Sequence, residues 1–129
     1  MPNEVVLVLE DSPDVAMVVS ELLADAAYDV RLVGSPEELL EEAGRGEASV
    51  ALVDSADPSH FDLWWVGPRL VEAGVRPIVF SAHSDIRRAF RENPHGFVGI
   101  VPKPFDVDEL LRVMESAREG KPAVSGGGA

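Results

Sequence analysis

Five times between Glu4 and about Ala117, a short β-rich apolar run is followed by a longer segment of helical period, and this alternation restricts the fold more than any other feature of the chain. The runs are Val5-Val6-Leu7-Val8-Leu9, Tyr28-Asp29-Val30-Arg31-Leu32-Val33, Val50-Ala51-Leu52-Val53, Pro77-Ile78-Val79-Phe80 and Phe97-Val98-Gly99-Ile100-Val101. The first, third and fourth are apolar nearly throughout, as strands buried on both faces of a parallel sheet must be. Five βα units with right-handed crossovers predict an α/β fold, an open, doubly wound, five-stranded parallel sheet.

Helix starts are marked where this reading needs them. Ser12-Pro13 sets a capping hydroxyl before a proline at the first helical position, and Val15, Val18, Val19, Leu22, Leu23 and Ala26 follow as one apolar stripe. Ser35-Pro36-Glu37-Glu38 repeats the signal with a capping-box glutamate. Ser84 and Asp85 open a shorter fourth helix that Asn93-Pro94 ends, and Asp106 with Glu109 opens the last. Gly67-Pro68 interrupts the third helical segment, which predicts irregular backbone from Ser59 to Gly67. Met17 and Met114 are expected in the core, and one ring of the Trp64-Trp65 pair is expected to face inward with the other partly exposed. Residues 1–119 form one domain in this reading, and 120–129 a flexible Gly-rich tail.

Open sheets of this kind bind ligands beyond the carboxyl ends of their strands. Those positions hold Glu10-Asp11 after the first strand, Asp54 after the third, Ser81 after the fourth and Lys103 after the fifth. Each residue alone reads as an ordinary loop residue, but three carboxylates, a hydroxyl and an amine on one rim do not. Crowded carboxylates call for a hard divalent cation, with Lys103 as a second positive charge. Magnesium fits best, because it takes one or two carboxylates and keeps waters and phosphate oxygens. A carboxylate beside such an ion is a plausible nucleophile toward phosphorus, with Ser81 and Lys103 holding the phosphoryl oxygens.

These pieces resemble the receiver domains of bacterial response regulators, the CheY-like superfamily: Glu10-Asp11 closing the first strand, Asp54 with Pro58 four residues on, Ser81-Ala82, and Lys103-Pro104-Phe105. The resemblance runs from about Glu4 to Ala117 and implies a flavodoxin-like (βα)5 sheet of strand order 2-1-3-4-5. It implies that Asp54 accepts a phosphoryl group, that Asp11 binds Mg2+ directly and Glu10 through water, and that the Ala56 carbonyl completes the protein's share of the metal shell. Ser81 is then the switch hydroxyl and Lys103 its cationic partner, and the Lys103-Pro104 bond is often cis in the family. The usual output face would include Ile86, Arg87, Phe90, Ile100 and Val107. A histidine kinase or histidine phosphotransfer protein would donate the phosphoryl group, a downstream protein target would read it, and the domain would be a monomer or a weak phosphorylation-dependent dimer. Two departures stand out: Ile100 occupies the usual switch-aromatic position, for which Phe97 is a candidate substitute, and the loop after Asp54 is atypical.

Composition narrows the alternatives. With no cysteine, disulfides and thiolate metal sites are excluded, and a net charge of −12 repels nucleic-acid phosphates. Arg87, Arg88 and Arg91 read as a solvated helix face, and the scattered His60, His83 and His95 as surface or packing residues. No leader and no run of roughly 20 apolar residues is present, so the expectation is a cytoplasmic protein that binds neither nucleic acid nor membrane. With no output domain expected after the fifth helix, signalling is expected through protein–protein contact, or the domain serves as a phosphate shuttle or sink. Glu10-Asp11-Ser12-Pro13 is neither the phosphate loop of a flavodoxin nor the aspartate pair of a haloacid-dehalogenase-type phosphatase, so the only catalysis expected concerns the domain's own phosphorylation. The competing reading is a pseudo-receiver, an interaction module that works without phosphorylation.

Overall fold

Residue alternation along the strands decides how the core divides. In β1 (Val5–Leu9), Val6 and Val8 enter one cluster of buried side chains while Leu7 and Leu9 enter the other, as successive side chains on a strand must. The computed structural model describes residues 3–55 and 61–119 together with the backbone of residues 123–124. Within them follow α1 (Pro13–Asp25), β2 (Asp29–Val33), α2 (Pro36–Ala43), β3 (Ala48–Val53), α3 (Val66–Glu72), β4 (Arg76–Ser81), α4 (Ile86–Glu92), β5 (Gly99–Pro102), α5 (Val107–Arg118) and β6 (Ala123–Val124).

All strand pairs are parallel, in the order β2-β1-β3-β4-β5-β6. The expected five-strand order 2-1-3-4-5 is present, and the two residues of β6, from the segment read as a tail, extend it beyond β5 through pairing of Ala123 with Gly99 and Val124 with Ile100. The remaining tail residues, 120–122 and 125–129, lie outside the described residues. Val19 and Leu23 of α1 and Leu110, Val113 and Met114 of α5 cover one face against Val8, Leu52, Ile78, Phe80 and Val101. Leu39 of α2, Leu70 of α3 and Ile86 and Phe90 of α4 cover the other against Leu7, Val53, Val79 and Ile100.

The caps form as expected at three helices: Ser12 Oγ accepts from Val15 N, Ser35 Oγ from Glu38 N, and Asp106 from Asp108 N and Glu109 N. The expected stripe of α1 packs on the core at Val15, Val19, Leu22 and Leu23 and departs from expectation at Val18 and Ala26. Ala16, Val19 and Leu23 are the buried residues, and Met17 and Val18 are 59% and 48% exposed, so Met17 is not core.

Irregular backbone extends through Leu63 to a turn at Trp64-Trp65, and α3 begins at Val66, two residues earlier than expected. Pro68 lies in the first turn, where its missing N–H costs nothing. Trp64 packs on the core and Trp65 is 46% exposed, as expected. The start of α3 meets the α4–β5 loop so closely that a Cβ on Gly67 would stand 2.0 Å from the His95 carbonyl oxygen and 2.9 Å from the Phe97 ring. Gly96, at φ +84°, supplies the left-handed turn that brings this loop in.

Candidate phosphoryl-acceptor site

Parallel strands end with their carbonyl edges on one rim, and the five residues singled out there converge. Asp54 follows β3, where its N–H donates to the Leu9 carbonyl at 2.9 Å and continues the ladder from β1. Lys103 follows β5 in the same way, its N–H donating to the Ser81 carbonyl at 2.8 Å. Its ammonium donates to Asp54 Oδ1 and to Glu10 Oε1, each at 2.9 Å, and lies 4.9 Å from the centre of the Phe80 ring. Glu10 is engaged at both oxygens, since its Oε2 accepts from Ser12 N at 2.9 Å. Asp54 Oδ2 has a looser contact, with Asp11 N at 3.4 Å. The Lys103-Pro104 bond is cis.

Burial governs the electrostatics. Removal from water pushes the Asp54 carboxyl up to about 6, with Glu10 adding to the rise, and the Lys103 ammonium and the Asp11 N–H only partly oppose it. Lys103 is drawn down by its own burial but raised on balance, because the Glu10 and Asp54 carboxylates hold its proton. The site is thus two carboxylates sharing one cation, beside a cavity of about 280 Å³ that Asp11, Ser81 and His83 also line. A second cavity of about 360 Å³ adjoins Glu10, Asp11 and Asp54 and reaches Leu63 and Asp62.

Among the described residues, no three acidic or histidine side chains are gathered closely enough to hold an ion by themselves. The donors present are all hard oxygens: exposed Asp11 and the loosely held Asp54 Oδ2, with Glu10 engaged elsewhere. That set fits magnesium, which takes one or two carboxylates and keeps its waters, better than calcium, which wants a fuller protein cage. Ala56, expected to lend a carbonyl, lies outside the described residues. Receiver domains in general bind Mg2+ at this acidic site.

Other expectations fare differently. Ile86, Phe90 and Ile100, expected on the output face, are 3%, 7% and 0% exposed, and only Arg87 and Val107 of that set reach solvent. α4 turns its apolar stripe inward, and Ile100, beside Val79, enters the same core cluster as Ile86 and Phe90. Phe97 does not stand in for the missing aromatic: it precedes β5, at the strand end away from Asp54, in edge-to-face contact with Phe61 and Trp64. The sequence marks Ser12 only as a helix cap, whereas its N–H also fixes Glu10, and it does not single out Asp62, which bonds Ser55 after Asp54. His83, read as an ordinary histidine, lines the cavity, and its imidazole holds the Asp85 carboxyl below the usual range. His60 lies outside the described residues.

Fold and rim together define a CheY-like domain: a doubly wound sheet whose switch-point carboxylates face a lysine and a hydroxyl. The profile of the response regulator receiver domain matches residues 6–115, and the chain belongs to that family. It is the receiver domain of a two-component response regulator. It is 33% identical over 123 residues to the DNA-binding transcriptional regulator NtrC of Bradyrhizobium sp. (strain RP501 Parasponia), covering 91% of this chain and 25% of that protein. NtrC of Rhizobium meliloti (strain 1021) is 32% identical, over 91% of this chain and 24% of that one. The chain thus spans about a quarter of the length of the curated relatives it matches. Among solved structures, a LuxR-family two-component response regulator from Aurantimonas sp. SI85-9A1 superposes with a TM-score of 0.80 at 19% identity, over 96% of this chain and 91% of that one. Vibrio cholerae chemotaxis protein CheY4 gives 0.74 at 21%, over 89% and 98%. No helix among the described residues is long and apolar enough to cross a membrane.

Proposed function

We propose that this receiver takes a phosphoryl group onto Asp54 from a histidine kinase or phosphotransfer protein and signals by protein–protein contact. The observation that carries the reading is the Lys103 ammonium between Asp54 and Glu10, a positive charge already placed where a phosphoryl group would bring negative charge. An Asp54 oxygen forms the new O–P bond as the donor's P–N bond, or the P–O bond of acetyl phosphate, breaks with its electron pair leaving on the imidazole or acetate. Mg2+, held by Asp11, Asp54 and the Ala56 carbonyl, with Glu10 acting through water, supplies charge neutralisation when bound. Lys103 then offers its protons to the phosphoryl oxygens, and the Ser81 hydroxyl, on the same cavity, donates to another. Hydrolysis reverses the modification: water adds to phosphorus and the electron pair returns to the Asp54 carboxylate.

The domain is proposed to act as a cytoplasmic switch, with residues 1–119 as the working unit and Ala123-Val124 of the segment 120–129 adding an edge strand to it. Partners are a phosphodonor protein and a downstream protein target, with no nucleic acid or membrane bound by this domain. The exposed output positions are Arg87 and Val107. The phosphorylation-independent module is the second reading, favoured by the buried Ile100 where the family resemblance places a switch aromatic.

Borohydride reduction after incubation with acetyl phosphate and magnesium, followed by peptide mapping, locates the acceptor. Reduction at residue 54 alone is expected. A mark on Asp11 or Asp57 instead would reassign the site.

A further inference from the structure

Three helices show what α4 lacks. Ser12, Ser35 and Asp106 precede α1, α2 and α5 with extended backbone, at ψ 119°, 161° and 137°, and each accepts an N–H of the first turn. Asp85 stands at the same position before α4 and is as good a capping residue as any of them. Its backbone is nevertheless at φ −104° and ψ 12°, and its side chain makes no capping bond. The carboxylate is turned to His83 instead, with Oδ1 2.8 Å from Nδ1, while Oδ2 is 3.7 Å from the Arg88 guanidinium. His83 in turn donates its backbone N–H to Ser81 Oγ at 3.1 Å and lines the cavity shared by Asp54 and Lys103. One carboxylate thus has two mutually exclusive uses, at the junction between the Ser81 hydroxyl and the first turn of α4.

We propose that Asp85 is a positioning residue with two positions: bonded to His83, it holds the loop after Ser81 in the unphosphorylated arrangement, and released from His83, it caps α4. The inference rests on Asp54 as the phosphoryl acceptor. When Ser81 turns its hydroxyl toward a phosphoryl group, the His83 N–H loses the Ser81 acceptor, which loosens the loop. The Asp85–His83 pair is partly exposed, at 54% and 24% of the side chains, so its hold is weak. An aspartate cap shifts a helix equilibrium by roughly fivefold, which is comparable, so the two arrangements lie close together and a bias at Ser81 decides between them. The link carries the signal from the cavity to α4 without an aromatic at position 100.

Amide spectra and hydrogen exchange of the unphosphorylated full chain test this in His83→Ala, Asp85→Asn and Asp85→Ala, against the parent with and without beryllofluoride as the phosphoryl mimic. In His83→Ala, the Ile86–Glu92 amides are expected to move along the line joining the parent's free and mimic-bound positions, with first-turn exchange slowed by roughly fivefold. Asp85→Asn, which keeps a good cap but loses the charge that holds His83, is expected to move the same way. Asp85→Ala, which has neither use, is expected to leave that line and to exchange faster. Amides in His83→Ala that stay at the parent's free positions, or Asn and Ala variants that behave alike, would overturn the proposal. A parent spectrum that ignores beryllofluoride would count against Asp54 as acceptor, and the exchange rates of the three variants would still judge the two uses of Asp85.

Discussion

Lys103 Nζ lies 2.9 Å from Asp54 Oδ1, the same distance at which it holds Glu10 Oε1, so a single ammonium offsets two carboxylates. The Glu10 side chain is 1% exposed and that of Asp54 8%, which leaves water little part in solvating either. Lys103→Met keeps the length of the side chain and removes the charge. It is expected to cost about 3 kcal/mol at neutral pH in urea unfolding, because two buried carboxylates lose their cation. The cost should shrink near pH 5, where Asp54 carries a proton. A loss that does not change with pH would assign the role of Lys103 to packing on Phe80 instead.

Asp54 itself is expected to lower the stability of the metal-free domain. Its folded pKa, about 6, lies above the 3.8 of an ordinary aspartate, so between those values the folded chain binds more protons than the unfolded chain and stability falls as pH rises. Asp54→Asn does not titrate. In the presence of a chelator it should match the parent below pH 4, gain progressively to pH 6, and remain more stable above that by about 3 kcal/mol. Equal stability of the two proteins at pH 8 would show that Lys103 compensates fully.

Magnesium acts on the same carboxyl from the other side. Cation and proton compete for Asp54, so the rise in unfolding midpoint with added magnesium should be full above pH 6 and fade as pH falls below it. Asp11→Ala is expected to abolish that rise. A magnesium effect untouched by Asp11→Ala would place the cation elsewhere.

Gly67→Ala tests the close approach between α3 and the α4–β5 loop. The new methyl would meet a backbone carbonyl at 2.0 Å and the Phe97 ring at 2.9 Å, and the carbonyl cannot rotate away as a side chain would. A loss of about 3 kcal/mol in chemical denaturation is expected. A near-neutral result would mean that the loop yields easily.

The sheet was legible because strands buried on both faces must be apolar throughout, and the site because parallel strands deliver their following residues to one rim. Glu10, Asp54, Ser81 and Lys103 could be found from strand ends alone. Packing direction was not legible in the same way. Ile86 and Phe90 are apolar whichever side of α4 they occupy, and only the structure shows that they pack inward on the core. Met17 looked like core by hydropathy, yet the small Ala16 takes the buried position. Phe97 was a plausible substitute aromatic until the start of β5 fell at Gly99, which leaves it at the far end of the strand from Asp54. Two-residue β6 carries no period of its own and exists only through pairing with β5. The bond between His83 and Asp85 joins residues two apart in a turn, a spacing that nothing in the sequence distinguishes.

Intact-mass spectrometry after incubation with acetyl phosphate and magnesium, on the parent and on Asp54→Ala side by side, tests the central claim most directly. One phosphoryl adduct on the parent and none on Asp54→Ala is the predicted result. An adduct on both would move the acceptor away from Asp54, and none on a folded parent would contradict the account in favour of a domain that works without phosphorylation.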